Sequence, residues 1–268
     1  MNRKRPLNPV ICFLTDFGHK DGYVAAMKGV ILTKYSKARF VDISHDIDPF
    51  RIESAAYILK SVFPFFPEGT MFVVVVDPGV GTTRKPVVIR ANGKLLVGPD
   101  NGVFSWILKD YPFEAREISN RSLLRPEISS TFHGRDIFAP VAAHLLSGIT
   151  LEEVGPLISP IESPWVRPDI HDNGEIIGKV VHIDRFGNCI TNIEKPLGTE
   201  KGVVLLPNGI EVYLKKTYSD VPNKAPLALW GSCNHLEISL NKGNASKQFG
   251  ISIGDNVLFK PSHFTVDT

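Results

Sequence analysis

The sequence predicts an α/β N-terminal domain built on a mostly parallel sheet, followed by a small all-β C-terminal domain, either a barrel or a sandwich. Three observations carry that expectation. Strand-like and helix-like segments alternate over residues 1–155. The run Phe72-Val73-Val74-Val75-Val76 is apolar at every position. Beyond residue 174 short strand-like runs dominate. A continuously apolar strand is covered on both faces, as in a parallel sheet between helix layers, and the order β-α-β-α-β is that of an open, mostly parallel sheet.

Each element follows from its pattern. Val10 to Leu14 reads as a buried strand, and Val24, Met27, Ile31 and Tyr35 then fall on one helical face. Arg39 to Ile43 is the next strand; Ile52, Ala55, Ala56, Leu59 and Phe63 mark a second amphipathic helix. Val87 to Ile89 and Lys94 to Val97 flank an Asn92-Gly93 hairpin turn, and helices are expected over Val103–Lys109 and Ile137–Leu146. Residues 156–174 then change character. Pro156, Pro160, Pro164 and Pro168 recur at a spacing that neither a helix nor a central strand tolerates, so an extended linker is expected, one that holds a chain's two domains apart. Residues 175–268 supply strands at Ile176–Ile183, Cys189–Ile193, Val203–Leu206, Ile210–Leu214, Leu227–Trp230, Leu236–Leu240 and Asn256–Phe259, with Asn208-Gly209 as a hairpin signal.

Composition narrows the function classes. The 268 residues carry 30 basic and 28 acidic side chains, a net charge of +2, with no basic excess of the kind a nucleic-acid partner requires. A small-molecule ligand fits that balance. The basic start Asn2-Arg3-Lys4-Arg5 precedes an apolar run too short for a signal-peptide core, and no stretch approaches the roughly 20 apolar residues of a membrane span. Cys12, Cys189 and Cys233 lie far apart, as expected for reduced thiols in a soluble, cytoplasmic protein rather than a disulfide framework or structural zinc site.

Polar residues gather where the predicted strands end: Thr15-Asp16-Phe17-Gly18, Ser44-His45-Asp46 and Asp77-Pro78-Gly79-Val80-Gly81. Ligands of open α/β sheets bind outside the carboxyl ends of strands, and one carboxylate accepts from two neighbouring ribose hydroxyls. Asp and Gly are also ordinary turn formers; three such clusters together favour a site. Gly79-Val80-Gly81-Thr82-Thr83 fails the phosphate-loop patterns. His45, Asp46, Asp77 and His133 lack any metal-ligand spacing, so no metal is expected. In Phe132-His133-Gly134-Arg135-Asp136, Asp136 reads as a helix N-cap. Asp184-Arg185-Phe186-Gly187-Asn188 and the segment Gly231 to Glu237 are turns with amide and hydroxyl groups to offer, Phe186 adding a stacking face.

Together these residues resemble the S-adenosylmethionine hydrolases (S-adenosylmethionine hydroxide adenosyltransferases), relatives of the fluorinases and chlorinases. The resemblance runs nearly end to end, through Thr15 to Gly18, Asp42-Ile43-Ser44-His45, Asp77 to Gly81 with Arg84, Gly98-Pro99-Asp100-Asn101-Gly102, Phe132 to Asp136, Phe186-Gly187-Asn188 with Thr191-Asn192, and Gly231-Ser232 to Asn244. It implies a homotrimer with sites between neighbouring subunits, and no cofactor beyond S-adenosylmethionine as substrate. It makes Asp77, Arg84 and His133 the water-handling triad and Asp16 the ribose ligand. Phe50 becomes a wall of the ribose pocket, and Asn101 is placed among the substrate-binding residues. Phe186 and Asn188 become adenine contacts, and Asp184, Ser232 and Glu237 hold the methionine portion. Tyr23 stands where the halogenases carry a small hydroxyl residue, and Cys233 where they carry an arginine. The implied reaction is hydrolysis of S-adenosylmethionine to adenosine and methionine. Its rivals are an S-adenosylmethionine-dependent halogenase, disfavoured because Asp77 would repel a halide, and a non-catalytic S-adenosylmethionine or adenosine binder.

Overall fold

A computed structural model describes residues 10–262; the basic start Asn2-Arg3-Lys4-Arg5 lies outside the described residues. The chain divides between Ser163 and Pro164 into two compact units.

The first unit is an α/β layer structure. In chain order it contains β1 (Val10–Thr15), α1 (Tyr23–Lys34), β2 (Arg39–Ser44), α2 (Ile52–Val62), β3 (Met71–Val75), β4 (Pro86–Ala91), β5 (Lys94–Pro99), α3 (Ser105–Asp110), β6 (Phe113–Glu117) and α4 (Ala139–Ser147). The sheet order is β2-β1-β3-β5-β4-β6. The pairs β1/β2, β1/β3 and β3/β5 are parallel, whereas β4 runs antiparallel to β5 and to β6. The sheet is therefore mixed and mostly parallel. Its reversal comes from the Asn92-Gly93 turn, whose residues both have positive φ (46° and 71°), the backbone that a two-residue hairpin requires.

All five residues of β3 are buried, because helices cover both faces of the sheet. Ile11, Phe13, Met71, Val73 and Val75 share one core with Met27 and Ile31 of α1 and with Val141 and Ala142 of α4. From the other face of β3, the Phe72 ring meets that of Phe63, just past α2, at 5.2 Å. The edge strand β6 escapes sequence pattern, since Phe113-Glu-Ala-Arg-Glu offers only Ala115 as a buried apolar residue.

The second unit is an antiparallel barrel. It comprises β7 (Asp169–Ile170), β8 (Ile176–Ile183), β9 (Cys189–Glu194), β10 (Gly202–Leu205), β11 (Glu211–Tyr213), β12 (Pro226–Trp230), β13 (His235–Leu240), the short helix α5 (Ala245–Phe249) and β14 (Asn256–Pro261). The order is β11-β10-β14-β8-β9-β13-β12, with β7 paired to β8. A bridge between Leu214 and Ala228, with Lys215 N–H donating to Ala228 O at 2.8 Å, nearly joins the two ends. Closure leaves few free strand edges and surrounds a core of Val180, Cys189, Ile193, Val204, Leu236, Ile238 and Phe259. The proline-spaced segment is shared out. Pro156 O accepts from Glu117 N–H and Ile158 N–H donates to Ala115 O in the first unit, while Asp169–Ile170 joins the barrel sheet.

Ile11 lies fully buried on β1, between α1 and α4. Ile11→Ala is expected to lower unfolding free energy by about 2–5 kcal/mol, read as a shift of the urea midpoint at constant slope.

Candidate active site

The carboxyl ends of β1, β2 and β3 and the amino end of the antiparallel β4 all lie at one edge of the first unit's sheet. The segment joining β3 to β4 therefore leaves and re-enters the sheet at that edge. It carries Asp77, just beyond β3, and Arg84, just before β4. The two side chains meet in a two-pronged contact: Arg84 Nε donates to Asp77 Oδ1 at 3.1 Å, and Nη2 donates to Oδ2. Both are almost wholly buried. The Arg84 Nη2 atom also lies 2.9 Å from Nδ1 of His133. A guanidinium has only donors, so Nδ1 accepts and the proton of a neutral His133 ring sits on Nε2. Burial, and after it the neighbouring Arg84 charge, lowers the His133 pKa below its ordinary value, which keeps the ring neutral.

Gly81 makes this meeting possible. Its φ is +77°, and a Cβ there would lie 2.4 Å from the carbonyl oxygen of Ser130. Only glycine lets the β3–β4 segment approach the stretch that leads into His133. The Phe138 ring lies 5.5 Å from the Arg84 guanidinium carbon.

Asp16, Asp77 and His133 line one cavity of about 400 Å³ together with Phe17, Tyr23, Phe50 and Phe132. Asp16 Oδ2 accepts from the Phe50 N–H at 3.0 Å. Burial raises the Asp16 pKa, against the lowering effect of that N–H, and the nearby Asp77 adds to the rise. Phe50 has φ 69°, a conformation that favours glycine, and its side chain is 68% exposed. Such strain in a non-glycine residue concentrates at functional sites.

The second unit has a cleft of about 550 Å³ lined by Phe186, Asn188, Tyr218, Lys224, Leu240, Lys242, Gly243 and Asn244. Asp184 shapes one wall: Oδ1 accepts from the N–H groups of Phe186 and Asn188, and Oδ2 from the Asn188 side-chain amide, each at 2.9 Å. Asn188 is thereby buried while Phe186, 73% exposed, projects outward. Gly187, at φ +85°, leaves room for Asn244, whose Cγ would stand 2.1 Å from an added Cβ. Glu237 accepts from the hydroxyls of Tyr218 and of Ser239, the latter at 2.6 Å.

Residues 11–155 match the family described as the SAM hydroxide adenosyltransferase N-terminal domain, and residues 178–258 match its C-terminal domain. The chain belongs to the SAM hydroxide adenosyltransferase family. It is 38% identical to the (R)-S-adenosyl-L-methionine hydrolase of Thermus thermophilus, over 91% of this chain and 96% of that protein. It is 38% identical to the Methanocaldococcus jannaschii protein of the same name, over 92% and 94%. A fluorinase of Nocardia brasiliensis is 28% identical over 94% and 97%. A crystal structure of an uncharacterized conserved protein from Thermotoga maritima aligns with a TM-score of 0.83 at 37% identity, covering 93% of this chain and 99% of that one.

Within this family member the predicted residues fall into distinct groups. Asp77, Arg84 and His133 are in mutual contact, with Asp16 and Phe50 on the cavity that Asp77 and His133 share. Phe186 and Asn188 share the barrel cleft, with Asp184 behind them. Glu237 connects to that cleft through Tyr218. Ser232 sits in the β12–β13 turn, its hydroxyl 4.0 Å from the Cys233 sulfur. Asn101 lines a neighbouring cleft with Arg84 and Asp100, and its side chain is spent on backbone: Nδ2 donates to Val76 O and Oδ1 accepts from Val103 N–H. Sequence reasoning did not single out Tyr218, Lys224 or Lys242; they come from separate loops, and no local motif marks them. Among the described residues, no group of three or more His, Cys, Asp or Glu side chains is arranged to hold a metal.

The N-cap reading of Asp136 is corrected. Asp136 lies inside a π-helical turn, Gly134–Phe138, that runs into α4. Its fully buried carboxylate accepts from Ser129 N–H at 2.9 Å and pairs with Arg135 and Arg125. It anchors the loop before the helix instead of capping the helix. Burial pushes its pKa up, but the bonds from Arg135 and Ser129 outweigh this and hold it below the ordinary carboxylate value. The stability it contributes is therefore present above the unfolded carboxyl pKa of about 4 and is lost as pH falls through the lower folded value. Asp136→Asn is expected to flatten the acid side of the stability profile, measured as urea midpoints from about pH 2 to pH 7.

Proposed function

We propose that this protein hydrolyses S-adenosyl-L-methionine to adenosine and L-methionine by attack of water on ribose C5′. The observation that carries this reading is the Asp77–Arg84–His133 cluster, with Asp77 and His133 on a cavity that also presents the Asp16 carboxylate. Family membership and the names of the relatives support the same substrate. The sulfonium is a charged leaving group that departs as a neutral thioether. As the water oxygen bonds to C5′, the C5′–S pair withdraws onto sulfur and a water proton passes to a carboxylate. Such an electrophile needs a weak base and good alignment, and positioning lowers a barrier of this kind by several kcal/mol.

In this reading Asp77 orients the water and accepts its proton directly. The unprotonated nitrogen of His133 is already committed to Arg84, which favours that route over a relay through the ring. Arg84 holds the Asp77 carboxylate in place through its two-pronged contact, and its Nη1 is a buried donor without a hydrogen-bond partner among the described residues. Asp16 accepts from the ribose hydroxyls and Phe50 walls the ribose. Asn101 serves the substrate from the neighbouring cleft, its amide steadied by backbone atoms. Phe186 and Asn188 receive the adenine, and Asp184, Ser232 and Glu237 serve the methionine end. No cofactor enters, because the substrate carries its own activation.

The proposal extends to a cytoplasmic homotrimer in which one subunit's α/β unit meets a neighbour's barrel. No helix among the described residues is long and apolar enough to cross a membrane. Burial pushes the Cys12 and Cys189 thiols up to about 12, which suits unreactive, reduced cysteines. The number of subunits rests on the resemblance, and closed cyclic symmetry is the ordinary way to pair two different surfaces. Exposed Phe50 and Phe186 are the faces such an arrangement would cover.

Incubation with S-adenosylmethionine alone is expected to yield adenosine and methionine in equal amounts, with label from ¹⁸O-water in the adenosine 5′-hydroxyl. Free adenine, or a halogenated nucleoside formed in preference, would sink the reading. Asp77→Ala should lower kcat by about 10²–10⁴-fold with KM little changed.

Mixing inactive Asp77→Ala subunits with inactive Asn188→Ala subunits is expected to restore part of the activity. No recovery after verified exchange would place each site within one chain.

A further inference from the structure

One cluster in the chain, Asp42-Ile43-Ser44-His45, has no part in the reaction as described, yet its polar atoms lie against the turn that carries Asp16. Pairing of β1 with β2 runs Phe13 to Asp42 and then Leu14 to Ser44, so β2 holds an extra residue at Ile43. A bulge of this kind re-aims the side chains beyond it. Past it, the His45 ring turns into the protein and is 1% exposed. Its Nδ1 lies 2.8 Å from Thr15 Oγ1. Its Nε2 lies 3.1 Å from Asp42 Oδ1, a close polar contact that falls short of a hydrogen bond. Lys28 of α1 holds the other Asp42 oxygen at 2.6 Å, and the His19 ring stands edge-on to His45 at 5.1 Å.

The direction of each bond follows from chemistry. Burial lowers the His45 pKa, outweighing the opposing pull of Asp42, so the ring is neutral with one N–H. An ionised carboxylate only accepts, which places that proton on Nε2. Nδ1 then accepts the Thr15 hydroxyl proton, and the Thr15 oxygen is left to accept the Phe17 N–H at 3.3 Å. The backbone adds a second tie: Gly18 N–H donates to His45 O at 2.7 Å. The turn is thus pinned at Thr15, Phe17 and Gly18, on both sides of Asp16. With its backbone fixed, the Asp16 carboxylate is held at the Phe50 N–H and on the cavity wall.

We propose that Asp42, His45 and Thr15 form a positioning relay that fixes the Thr15–Gly18 turn and so aims the Asp16 carboxylate at the ribose. The proposal rests on the reading of Asp16 as the ribose acceptor. None of the three relay residues lines the cavity, so they act through Asp16 and not on the reacting atoms. Thr15 is the sharpest probe, because valine keeps its shape and removes only the hydroxyl, whereas serine keeps the hydroxyl.

The test compares wild type, Thr15→Val, Thr15→Ser, Asp16→Ala and the Thr15→Val/Asp16→Ala double variant. It reads kcat and KM for S-adenosylmethionine, and by calorimetry the Kd for adenosine. Thr15→Val is expected to raise KM and the adenosine Kd about tenfold while kcat stays within about twofold. Thr15→Ser should restore values near wild type. The double variant should be no worse than Asp16→Ala, as for residues acting through one contact. A Thr15→Val enzyme with wild-type KM and adenosine affinity, beside an impaired Asp16→Ala, would overturn the relay alone. So would a loss in kcat at constant KM, or additive losses in the double variant. Wild-type adenosine affinity in Asp16→Ala would instead remove the ribose reading on which the relay rests. If Thr15→Val does not fold, Asp42→Ala tests the same chain at a partly exposed position: a smaller rise in adenosine Kd at constant kcat supports the relay, and an unchanged Kd overturns it.

Discussion

The buried contact between Arg84 and Asp77 is the constraint around which the first unit's site is arranged. Removing two charges from water is costly unless geometry and further hydrogen bonds compensate. Here the guanidinium meets the carboxylate on two atoms, shares one nitrogen with His133, and lies beside the Phe138 ring. Asp77 and Arg84 stand on the same β3–β4 segment, whereas His133, held by the same guanidinium, comes from a separate stretch of chain. The contact therefore ties the β3–β4 segment to the start of the α4 region, and Gly81 supplies the clearance that the tie needs.

The two units solve the problem of presenting polar groups in different ways. In the α/β unit, parallel strands end together, and side chains from successive strand ends converge without any long loop. In the barrel, one carboxylate, Asp184, gathers the N–H groups of its own turn, burying Asn188 and leaving Phe186 outside. The first arrangement depends on strand order and the second on local turn chemistry.

That difference explains what was legible in the sequence. The runs of β1, β3, β8 and β13 carry their burial in their own apolar residues, and the Asn92-Gly93 and Asn208-Gly209 turns announce their hairpins, so the α/β-plus-β architecture could be read directly. Short or weakly apolar elements could not: β6 buries little besides Ala115, β7 has two residues, and α5 depends on an Asn244 cap. The strand-end clusters share one edge of the sheet, as their places after parallel strands imply. The role of Asp136 was misread because its partners Ser129 and Arg125 lie upstream in a loop, and no local pattern distinguishes that anchor from a cap. The backbone bonds at both ends of the Asn101 amide were not legible either, because only the fold brings those atoms near.

The antiparallel course of β4 has a kinetic and entropic consequence. Because β4 begins at the edge where β3 ends, the segment bearing Asp77 and Arg84 is a short arch clamped at both feet, with internal turns from Val80 N–H to Asp77 O and from Thr82 N–H to Gly79 O. Such an arch has little freedom left to lose when a ligand arrives. The ordering cost that a mobile lid would charge against affinity is met once, when the protein folds, so the rigidity of the sheet is handed on to the site it borders.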